Sequence, residues 1–170
     1  QMSVARYYRF SQPNTLVTSG GMGTMGFGLP ASVGAKIGKP GKQVVAFLGD
    51  GGFQMTIQEL GTILHYQVPV KIIVLNNNFL GMVRQWQDMF FSKRYASTEL
   101  VNPDFITIAG GYGIPARCIS KREELEESIS EMLKAAGPYL LEVKIDKEAN
   151  ILPMIEPGAS VSELTLTYKQ

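Results

Sequence analysis

The chain has little cysteine, histidine or tryptophan, with one residue of each among 170. A single cysteine excludes an internal disulfide, and one Cys with one His excludes a Cys/His zinc cluster. The net charge is +1, so the sequence lacks the excess of positive charge that is typical of proteins that bind nucleic acid or anionic membranes. Apolar runs such as residues 70–75 fall far short of the roughly 20 residues of a membrane span. With no charged and apolar leader, we expect a soluble domain in a reducing compartment.

Glycine, by contrast, is abundant, and its 18 residues are clustered. Residues 20–28 read GGMGTMGFG, and Gly49, Gly51 and Gly52 surround Asp50. Glycine clusters at the ends of helices and strands indicate positive φ or close approach of the backbone to another group. The rest of the composition, 45% hydrophobic and 18% charged, predicts one folded domain.

The hydrophobic pattern predicts strands and helices in alternation with short connections. This favours an α/β fold with three layers, in which helices cover both faces of a mostly parallel sheet. Such sheets bind ligands beyond the carboxyl ends of their strands, where residues 20–28, 49–52 and 76–78 fall. The expected strands are 16–18, 43–48, 70–75, 117–119 and 139–145, and the expected helices are 25–37, 55–66, 103–109 and 121–136.

Other parts of the chain carry weaker signals. Residues 79–101 have no clear periodicity, so no helix or strand is predicted there. In the helix predicted over 121–136, Leu133 is among the side chains expected to face the core. His65 and Cys118 have no partner in any motif, so we interpret His65 as structural and expect Cys118 to be buried and inert.

One interpretation of the first glycine cluster is a dinucleotide-binding domain. Residues 21–26, GMGTMG, fit the GxGxxG fingerprint, follow a predicted strand and open a predicted helix. Asp50 stands 24 residues after Gly26, as that fingerprint requires. Pro30 and the polar cluster after the next strand count against it. A Rossmann-type domain of an oxidoreductase nevertheless stays open from the residues alone.

A second interpretation joins Asp50 and its glycines to Asn76 and Asn77. One predicted helix and one predicted strand separate the two motifs, so both should lie at the same edge of the sheet. A carboxylate and an amide oxygen suit Mg²⁺ or Ca²⁺ but do not complete its coordination. Backbone carbonyls, water and phosphate oxygens of a ligand would complete it, and a helix starting near Phe53 would favour a diphosphate.

The order GDG and then NN resembles the metal- and diphosphate-binding motif of thiamine-diphosphate enzymes. Four longer stretches are similar to the C-terminal, thiamine-diphosphate-binding domain of acetolactate synthase (acetohydroxyacid synthase) catalytic subunits: TSGGMGTMGFGLPA, GDGGFQMTIQEL, LNNNFLGMVRQWQ and ILPMIEPG. The resemblance covers nearly the whole chain, and GMVRQWQ distinguishes that family from pyruvate oxidases and other decarboxylases. It implies the three-layer α/β/α fold of that domain over residues 1–170.

The resemblance also implies a role for each matching residue. Asp50, Asn77 and the backbone carbonyl of Phe79 would hold Mg²⁺. The carbonyl of Gly23 would accept a hydrogen bond from the cofactor's aminopyrimidine, and Met25 would hold its two rings bent together. The implied cofactor-binding residues are Gly23, Met25, Gly49, Asp50, Gly51, Gly52, Asn77, Phe79, Leu80, Gly81 and Met82.

The implied reaction is decarboxylation of pyruvate and condensation of its two-carbon unit with pyruvate or 2-ketobutyrate, in branched-chain amino acid biosynthesis. Val83 and Trp86 match residues that line the substrate and inhibitor pocket of the family. The resemblance further implies FAD in the parent enzyme, bound mainly outside this chain. Implied partners are a second catalytic subunit, in a homodimer or tetramer, and a small regulatory subunit, and the implied location is cytoplasmic.

No segment matches the N-terminal domain that supplies the activating glutamate in this family, so no catalytic residue is expected in this chain. We therefore expect one domain of a longer polypeptide, inactive alone. A dimerisation module without catalysis is a third interpretation, because residues 79–95 suit an interface as well as a pocket.

Overall fold

Four parallel strands form the main sheet of the protein, seen in a computed structural model that describes residues 1–166. They are β1 (Val45–Gly49), β2 (Lys71–Asn76), β3 (Ala116–Ile119) and β4 (Tyr139–Lys144). Their order across the sheet is β1-β2-β4-β3, and each neighbouring pair is parallel. A short antiparallel pair, β5 (Met154–Ile155) and β6 (Leu164–Thr165), follows. The predicted α/β fold with a mostly parallel sheet is confirmed.

Helices pack on both faces of the sheet and give the fold three layers. They are α1 (Met2–Tyr7), α2 (Gly28–Gly38), α3 (Asp50–Met55), α4 (Glu59–Tyr66), α5 (Gly81–Phe90), α6 (Phe105–Gly111) and α7 (Leu125–Lys134), with a 3-10 turn (Arg122–Glu124) before α7. Side chains of α2, α3, α4 and α6 pack against one face, and those of α7 against the other. None of the helices in this described part of the chain is long and apolar enough to span a membrane.

Strand β2 shows how the sequence builds two cores. Nearly all its residues are buried, and successive side chains of a strand point to opposite faces of the sheet. Ile72 and Val74 join the larger core with Leu140, whereas Ile73 packs on the other face with Met132. A strand between two helical layers therefore requires the continuous apolar run that the sequence shows.

Two expectations about secondary structure are wrong. Residues 16–18 form no strand: Leu16 and Val17 are exposed, and β1 is left as the edge of the sheet. Residues 79–101, for which no element was expected, contain the ten-residue helix α5. Its buried side chains are Arg84 and Gln85, so this amphipathic helix turns its polar side inward, the reverse of a helix that packs on the core through apolar side chains.

Smaller corrections concern the ends and faces of elements. The helix expected over 55–66 is two helices, and the first begins at Asp50 rather than near Phe53. Leu133 is exposed, because it lies about 100° around α7 from the buried Met132. Cys118 is exposed as well, since β3 is an edge strand and this side chain lines an open cavity.

Candidate functional site

The carboxyl ends of β1 and β2 lie side by side and carry the candidate site. Gly49, the last residue of β1, pairs in register with Leu75 of β2, so Asp50 follows one strand where Asn76 ends the other. The backbone N–H of Asn78 donates to Oδ2 of Asp50 at 2.9 Å. The structure thus brings the GDG and NN motifs together, as their spacing predicts.

Asp50, Asn76, Asn78 and Asn102 form one hydrogen-bonded group, named here the polar cluster. The Nδ2 atom of Asn102 lies 2.7 Å from Oδ2 of Asp50, 2.9 Å from Oδ1 of Asn76 and 3.0 Å from Oδ1 of Asn78. Gln54 fixes Asn102 in turn by donating to its Oδ1 at 2.6 Å. A single amide group therefore holds three oxygen atoms around one point.

Asp50 is a buried carboxylate, only 2% exposed, at the first position of α3. Helix α3 is anchored by Phe53, which is fully buried and packs edge-on against Phe105 at 5.2 Å. Within residues 1–166, no lysine, arginine or histidine forms an ion pair with Asp50. Burying a charge without an opposite charge nearby costs free energy. A cation bound at Asp50 would reduce that cost.

The acceptor capacity of Asp50 fits the same conclusion. Its oxygens accept three hydrogen bonds, from Gly51 N, Asn78 N and Asn102 Nδ2. An ionised carboxylate offers about four acceptor sites, so one remains for a further ligand. The carboxylate is held in place without being saturated.

Asn77 and Phe79 lie in the turn after β2, beside the polar cluster. Oδ1 of Asn77 accepts a hydrogen bond from Phe79 N at 3.1 Å, and an amide oxygen has a second lone pair to offer. Among the described residues, no hydrogen bond joins Asn77 to Asp50, and none uses the carbonyl oxygen of Phe79. Both oxygens predicted as metal ligands are therefore available, although the protein itself does not link them to Asp50.

The segment that carries Asn102 is held against this turn by backbone pairing. Phe79 and Glu99 form an antiparallel bridge, in which Leu80 N donates to Thr98 O at 2.7 Å and Leu100 N donates to Asn78 O at 2.8 Å. Sequence reasoning missed Asn102 because its position beside Asp50 depends on the pairing of two segments that are separated in the sequence. The one local signal is the following Pro103, which favours a turn.

Gly51 lies where the glycine-rich loop, α3 and the turn after β2 converge. A Cβ atom at this position would lie 2.8 Å from Met25 Cε, 2.8 Å from Leu80 Cδ2 and 3.1 Å from Leu100 Cδ1. Any larger residue here would have to shift the ends of these side chains, and three residues predicted to contact the cofactor (Met25, Gly51 and Leu80) are brought together.

The glycine-rich loop has the left-handed backbone that its composition predicts. Gly23 and Gly26 have φ of 62° and 90°, and a Cβ at Gly26 would lie 3.1 Å from Met55 Cβ. Thr56 Oγ1 donates to Gly26 O at 2.9 Å and ties the loop to α3. Because no strand precedes the loop, the GxGxxG stretch lacks the strand-turn-helix context of a dinucleotide-binding domain.

The remaining predicted residues surround this centre. Gly49 is exposed at the end of β1, and Gly52 is half-buried with its side-chain position 4.0 Å from Gly26 N. Gly81 begins α5, where a Cβ would lie 3.2 Å from Asn77 Nδ2, and Met82 is half-buried beside it.

Three predicted site residues with exposed apolar side chains, Met25, Val83 and Trp86, are grouped here under the name open apolar face. Their exposed fractions are 44%, 48% and 38%, and Trp86 packs edge-on against Phe90 at 5.1 Å. Val83 and Trp86 therefore lie on an outward surface of α5, and the described residues do not enclose them in a pocket.

Buried polar contacts explain why α5 turns its apolar side outward. The guanidinium of Arg84 lies 5.1 Å from the ring centre of Phe79 and 4.7 Å from that of Tyr95, and pairs with Glu148 at 2.8 Å. Burial is the largest single influence and lowers the pKa of Arg84, but the hydrogen bond to Glu148 and the charges of Glu148, Tyr95 and Asp88 together raise it. Gln85 exchanges two hydrogen bonds with the backbone of Ile151. The segment after β4 thus covers the polar side of α5.

A second buried carboxylate, Glu142 of β4, adjoins the polar cluster and was also missed by sequence reasoning. Its Oε1 accepts hydrogen bonds from Asn76 Nδ2 at 2.6 Å and Lys144 Nζ at 2.5 Å.

Burial, and then the neighbouring Glu142, raises the pKa of the Cys118 thiol. Asn102, Cys118 and Glu142 share a surface cavity of about 480 Å³. Residues 1–166 contain no group of three or more His, Cys, Asp or Glu side chains that could hold a metal, so a metal at Asp50 would need amide or carbonyl oxygens.

Comparison with known proteins gives consistent results. Residues 1–143 match the family model described as thiamine pyrophosphate enzyme, C-terminal TPP binding domain. The chain is 48% identical over 165 residues to the acetolactate synthase isozyme 2 large subunit of Escherichia coli (strain K12), covering 96% of this chain and 30% of that protein. It is 44% identical over 163 residues to the mitochondrial acetolactate synthase catalytic subunit of Saccharomyces cerevisiae, covering 96% of this chain and 24% of that protein.

A solved structure is similar as well. The thiamine diphosphate-dependent 4-hydroxybenzoylformate decarboxylase of Rhodococcus jostii RHA1 superposes with a TM-score of 0.67 and 33% sequence identity, covering 72% of this chain and 23% of that one. The chain thus spans 24–30% of the length of the curated relatives named above.

Proposed function

This chain belongs to the thiamine pyrophosphate enzymes, as a C-terminal TPP-binding domain, and from that premise we propose that it is the cofactor-binding domain of an acetolactate synthase. Identity of 44–48% to two such catalytic subunits over nearly the whole chain supports the proposal. The observation that carries it is the buried carboxylate of Asp50, which has no cationic partner among the described residues and adjoins two available oxygens.

Asp50, Asn77 and the carbonyl of Phe79 are the proposed ligands of Mg²⁺. Mg²⁺ prefers oxygen ligands and retains water or phosphate oxygens in its shell, which suits a site with one carboxylate, one amide and one carbonyl. The backbone N–H of Asn78 and the side-chain amide of Asn102 hold Asp50 in place without saturating it. The donor set therefore fits magnesium.

Gly49, Gly51 and Gly52 are the proposed diphosphate-binding residues, because they leave the backbone beside Asp50 without side chains. At Gly51 no side chain fits without displacing Met25 and Leu80. A larger residue would therefore narrow the space next to the metal ligands.

Residues of the loop and of α5 are proposed to hold the cofactor's rings. They are Gly23 through its carbonyl, Met25 beneath the rings, and Leu80, Gly81 and Met82 at their sides. Thiamine diphosphate, when bound, supplies a nucleophilic carbon and an electron sink for decarboxylation of a 2-keto acid. The residues of this chain contribute binding and orientation, and no acid or base of the polar cluster is assigned to the chemical step.

Val83 and Trp86 are the proposed contacts of the 2-keto acids, pyruvate and 2-ketobutyrate. The reaction proposed for the parent enzyme is decarboxylation of pyruvate and condensation with the second keto acid, in branched-chain amino acid biosynthesis. FAD bound mainly outside this chain, a regulatory subunit and a cytoplasmic location belong to the same proposal.

The surface area supports a partner that completes the site. The chain exposes 10778 Å², whereas a monomer of 18.7 kDa exposes about 8,300 Å². The surplus on this one chain exceeds the roughly 800 Å² that each partner buries in a standard interface. We propose that residues 1–170 are one domain of a longer polypeptide that dimerises through the catalytic subunit, and that the activating glutamate lies outside this chain.

A binding experiment discriminates this proposal from the dinucleotide alternative. In the full polypeptide that carries these residues, we expect thiamine diphosphate to bind with Mg²⁺, NADH not to bind, and Asp50→Ala to abolish cofactor binding. The 170-residue chain alone, given pyruvate, thiamine diphosphate, Mg²⁺ and FAD, should form no acetolactate. NADH binding, or turnover by the isolated chain at an enzyme-like rate, would contradict the assignment.

A further inference from the structure

We propose that Glu142 is a positioning residue that acts through Asn76 to set the turn carrying Asn77 and Phe79. The importance of that turn rests on the proposed function, while the hydrogen bonds that define it are present in the protein itself. Glu142 lies in β4, next to β2, and only 4% of it is exposed. It contacts no proposed cofactor-binding residue directly, so its effect must pass through Asn76.

The carboxylate of Glu142 fixes the orientation of the Asn76 amide. An ionised carboxylate only accepts hydrogen bonds, so the NH₂ group of Asn76 faces Glu142, 2.6 Å away. The ammonium group of Lys144 donates to the same oxygen at 2.5 Å, so this oxygen is an acceptor for both neighbours. Asn76 is 1% exposed, so water cannot substitute for either partner.

This orientation turns the oxygen of Asn76 toward two donors. Oδ1 of Asn76 accepts hydrogen bonds from Asn78 N at 3.0 Å and from Asn102 Nδ2 at 2.9 Å. A reversed amide would place NH₂ against both donors and the oxygen against the carboxylate of Glu142. Glu142 therefore selects the one amide orientation in which every contact is attractive.

The consequence reaches the proposed metal ligands. The N–H of Asn78 is shared between Asn76 and Asp50 and lies between Asn77 and Phe79 in the chain. Asn78 has φ of 58°, a left-handed conformation that non-glycine residues adopt at a cost. The turn therefore needs the Asn76 acceptor to stay in place, and Glu142 keeps it there.

Hydrogen exchange in the ligand-free protein tests the first link. Glu142→Leu removes the acceptor and should speed amide exchange in residues 76–80 about tenfold, as expected for loss of a hydrogen bond to a charged group. Lys71→Met is the matched control: Lys71 is 2% exposed, lies at the opposite end of β2, and donates to the carbonyls of Ala135 and Gly137. It should leave residues 76–80 unchanged. Unchanged exchange in Glu142→Leu, or equal acceleration in both variants, would overturn the proposal.

Magnesium titration at fixed thiamine diphosphate tests the second link. Glu142→Leu should weaken Mg²⁺ binding about tenfold, and Glu142→Gln, which keeps an acceptor oxygen, should restore it to within about threefold. When Asn76 is already replaced by Ala, Glu142→Leu should weaken Mg²⁺ binding by less than about a further twofold. The reason is that the effects of substitutions at interacting residues are not additive. Equal effects in both backgrounds would refute action through Asn76. If the wild type does not bind Mg²⁺ at all, the proposed function fails and the exchange experiment still decides the role of Glu142.

Discussion

The polar cluster and the open apolar face lie on two sides of one candidate site and are built in different ways. Asp50 and its asparagines are fixed by hydrogen bonds from two strand ends and a paired segment. Met25, Val83 and Trp86 are exposed and meet few neighbours within the described residues. The difference supports the proposal that this chain forms the proposed metal site by itself, whereas the residues proposed to contact the cofactor rings and substrate need another surface.

The two sides also differ in what holds their backbone. The turn after β2 is continuous with a buried strand, while the loop before α2 is attached chiefly through Gly26 and Thr56. Local stability follows the number of buried contacts and hydrogen bonds. We therefore infer that the polar cluster is preformed and that the loop is the easier part to displace.

Removing the charge of Asp50 should have the largest effect of the substitutions considered, and that effect is weaker Mg²⁺ binding. Asp50→Asn should weaken Mg²⁺ binding at least about a hundredfold, since a charged ligand is lost. The ligand-free variant should change in stability by less than about 1 kcal/mol, because removal of a buried charge without a cationic partner offsets the loss of one acceptor oxygen. Thermal unfolding with and without Mg²⁺ measures both quantities. Asp146→Asn, at an exposed position, is the control, and a larger loss of stability without metal would contradict the electrostatic account.

Replacing the amide that organises the polar cluster should give the next largest effect. Asn102→Asp puts a second carboxylate at the position of a donor 2.7 Å from Asp50, so the ligand-free protein should lose about 2–3 kcal/mol. Mg²⁺ should restore much of this stability, because it neutralises both groups. Denaturant unfolding at several Mg²⁺ concentrations measures it. An equal loss with and without Mg²⁺ would show that the cluster does not face a metal.

Filling the junction between the two sides should have a moderate effect. Gly51→Ala places a Cβ against Met25 and Leu80, and overpacking of this kind costs about 1–3 kcal/mol. Gly110→Ala is the control because its Cβ would meet nothing within 4 Å. Denaturant unfolding of the ligand-free variants compares them. Equal stability of the two would show that Met25 and Leu80 move aside freely.

Truncating the open apolar face should have the smallest effect on stability. Trp86→Ala should change the free energy of unfolding of the 170-residue chain by less than about 1 kcal/mol, because a large part of the side chain is already exposed. The same substitution in the full polypeptide should raise KM for the 2-keto acid. A large loss of stability in the isolated chain would mean that α5 needs Trp86 for its own packing.

Sequence reasoning succeeds where the physics is local or follows from strand topology. The apolar runs of β1 and β2 predict buried strands, and the spacing of Asp50 and Asn76 predicts that they meet at one sheet edge. Sequence reasoning fails where tertiary contacts determine which side chains are buried and which reach the site. Helix α5 is missed because its pattern is the reverse of that of a core-facing helix: Arg84 is buried against Phe79, Tyr95 and Glu148, and apolar side chains face outward.

Three further failures have the same origin. Asn102 belongs to the polar cluster and Glu142 adjoins it, both from segments far along the sequence, and no motif marks either of them. Residues 16–18 have the composition of a strand, but they stay exposed and unpaired although β1 is a free edge of the sheet. Cys118 is exposed because β3 is at the edge of the sheet, which a list of elements without their order does not reveal.

The central claim is that Asp50 and the turn after β2 bind thiamine diphosphate through a metal ion. Calorimetric titration of thiamine diphosphate into the full polypeptide, with and without Mg²⁺, tests it most directly when wild type and Asp50→Asn are compared. The account predicts one cofactor per chain, tight binding by the wild type only when Mg²⁺ is present, and no gain from Mg²⁺ in the variant. Equal affinity with and without Mg²⁺, or a variant that still responds to Mg²⁺ as the wild type does, would contradict it.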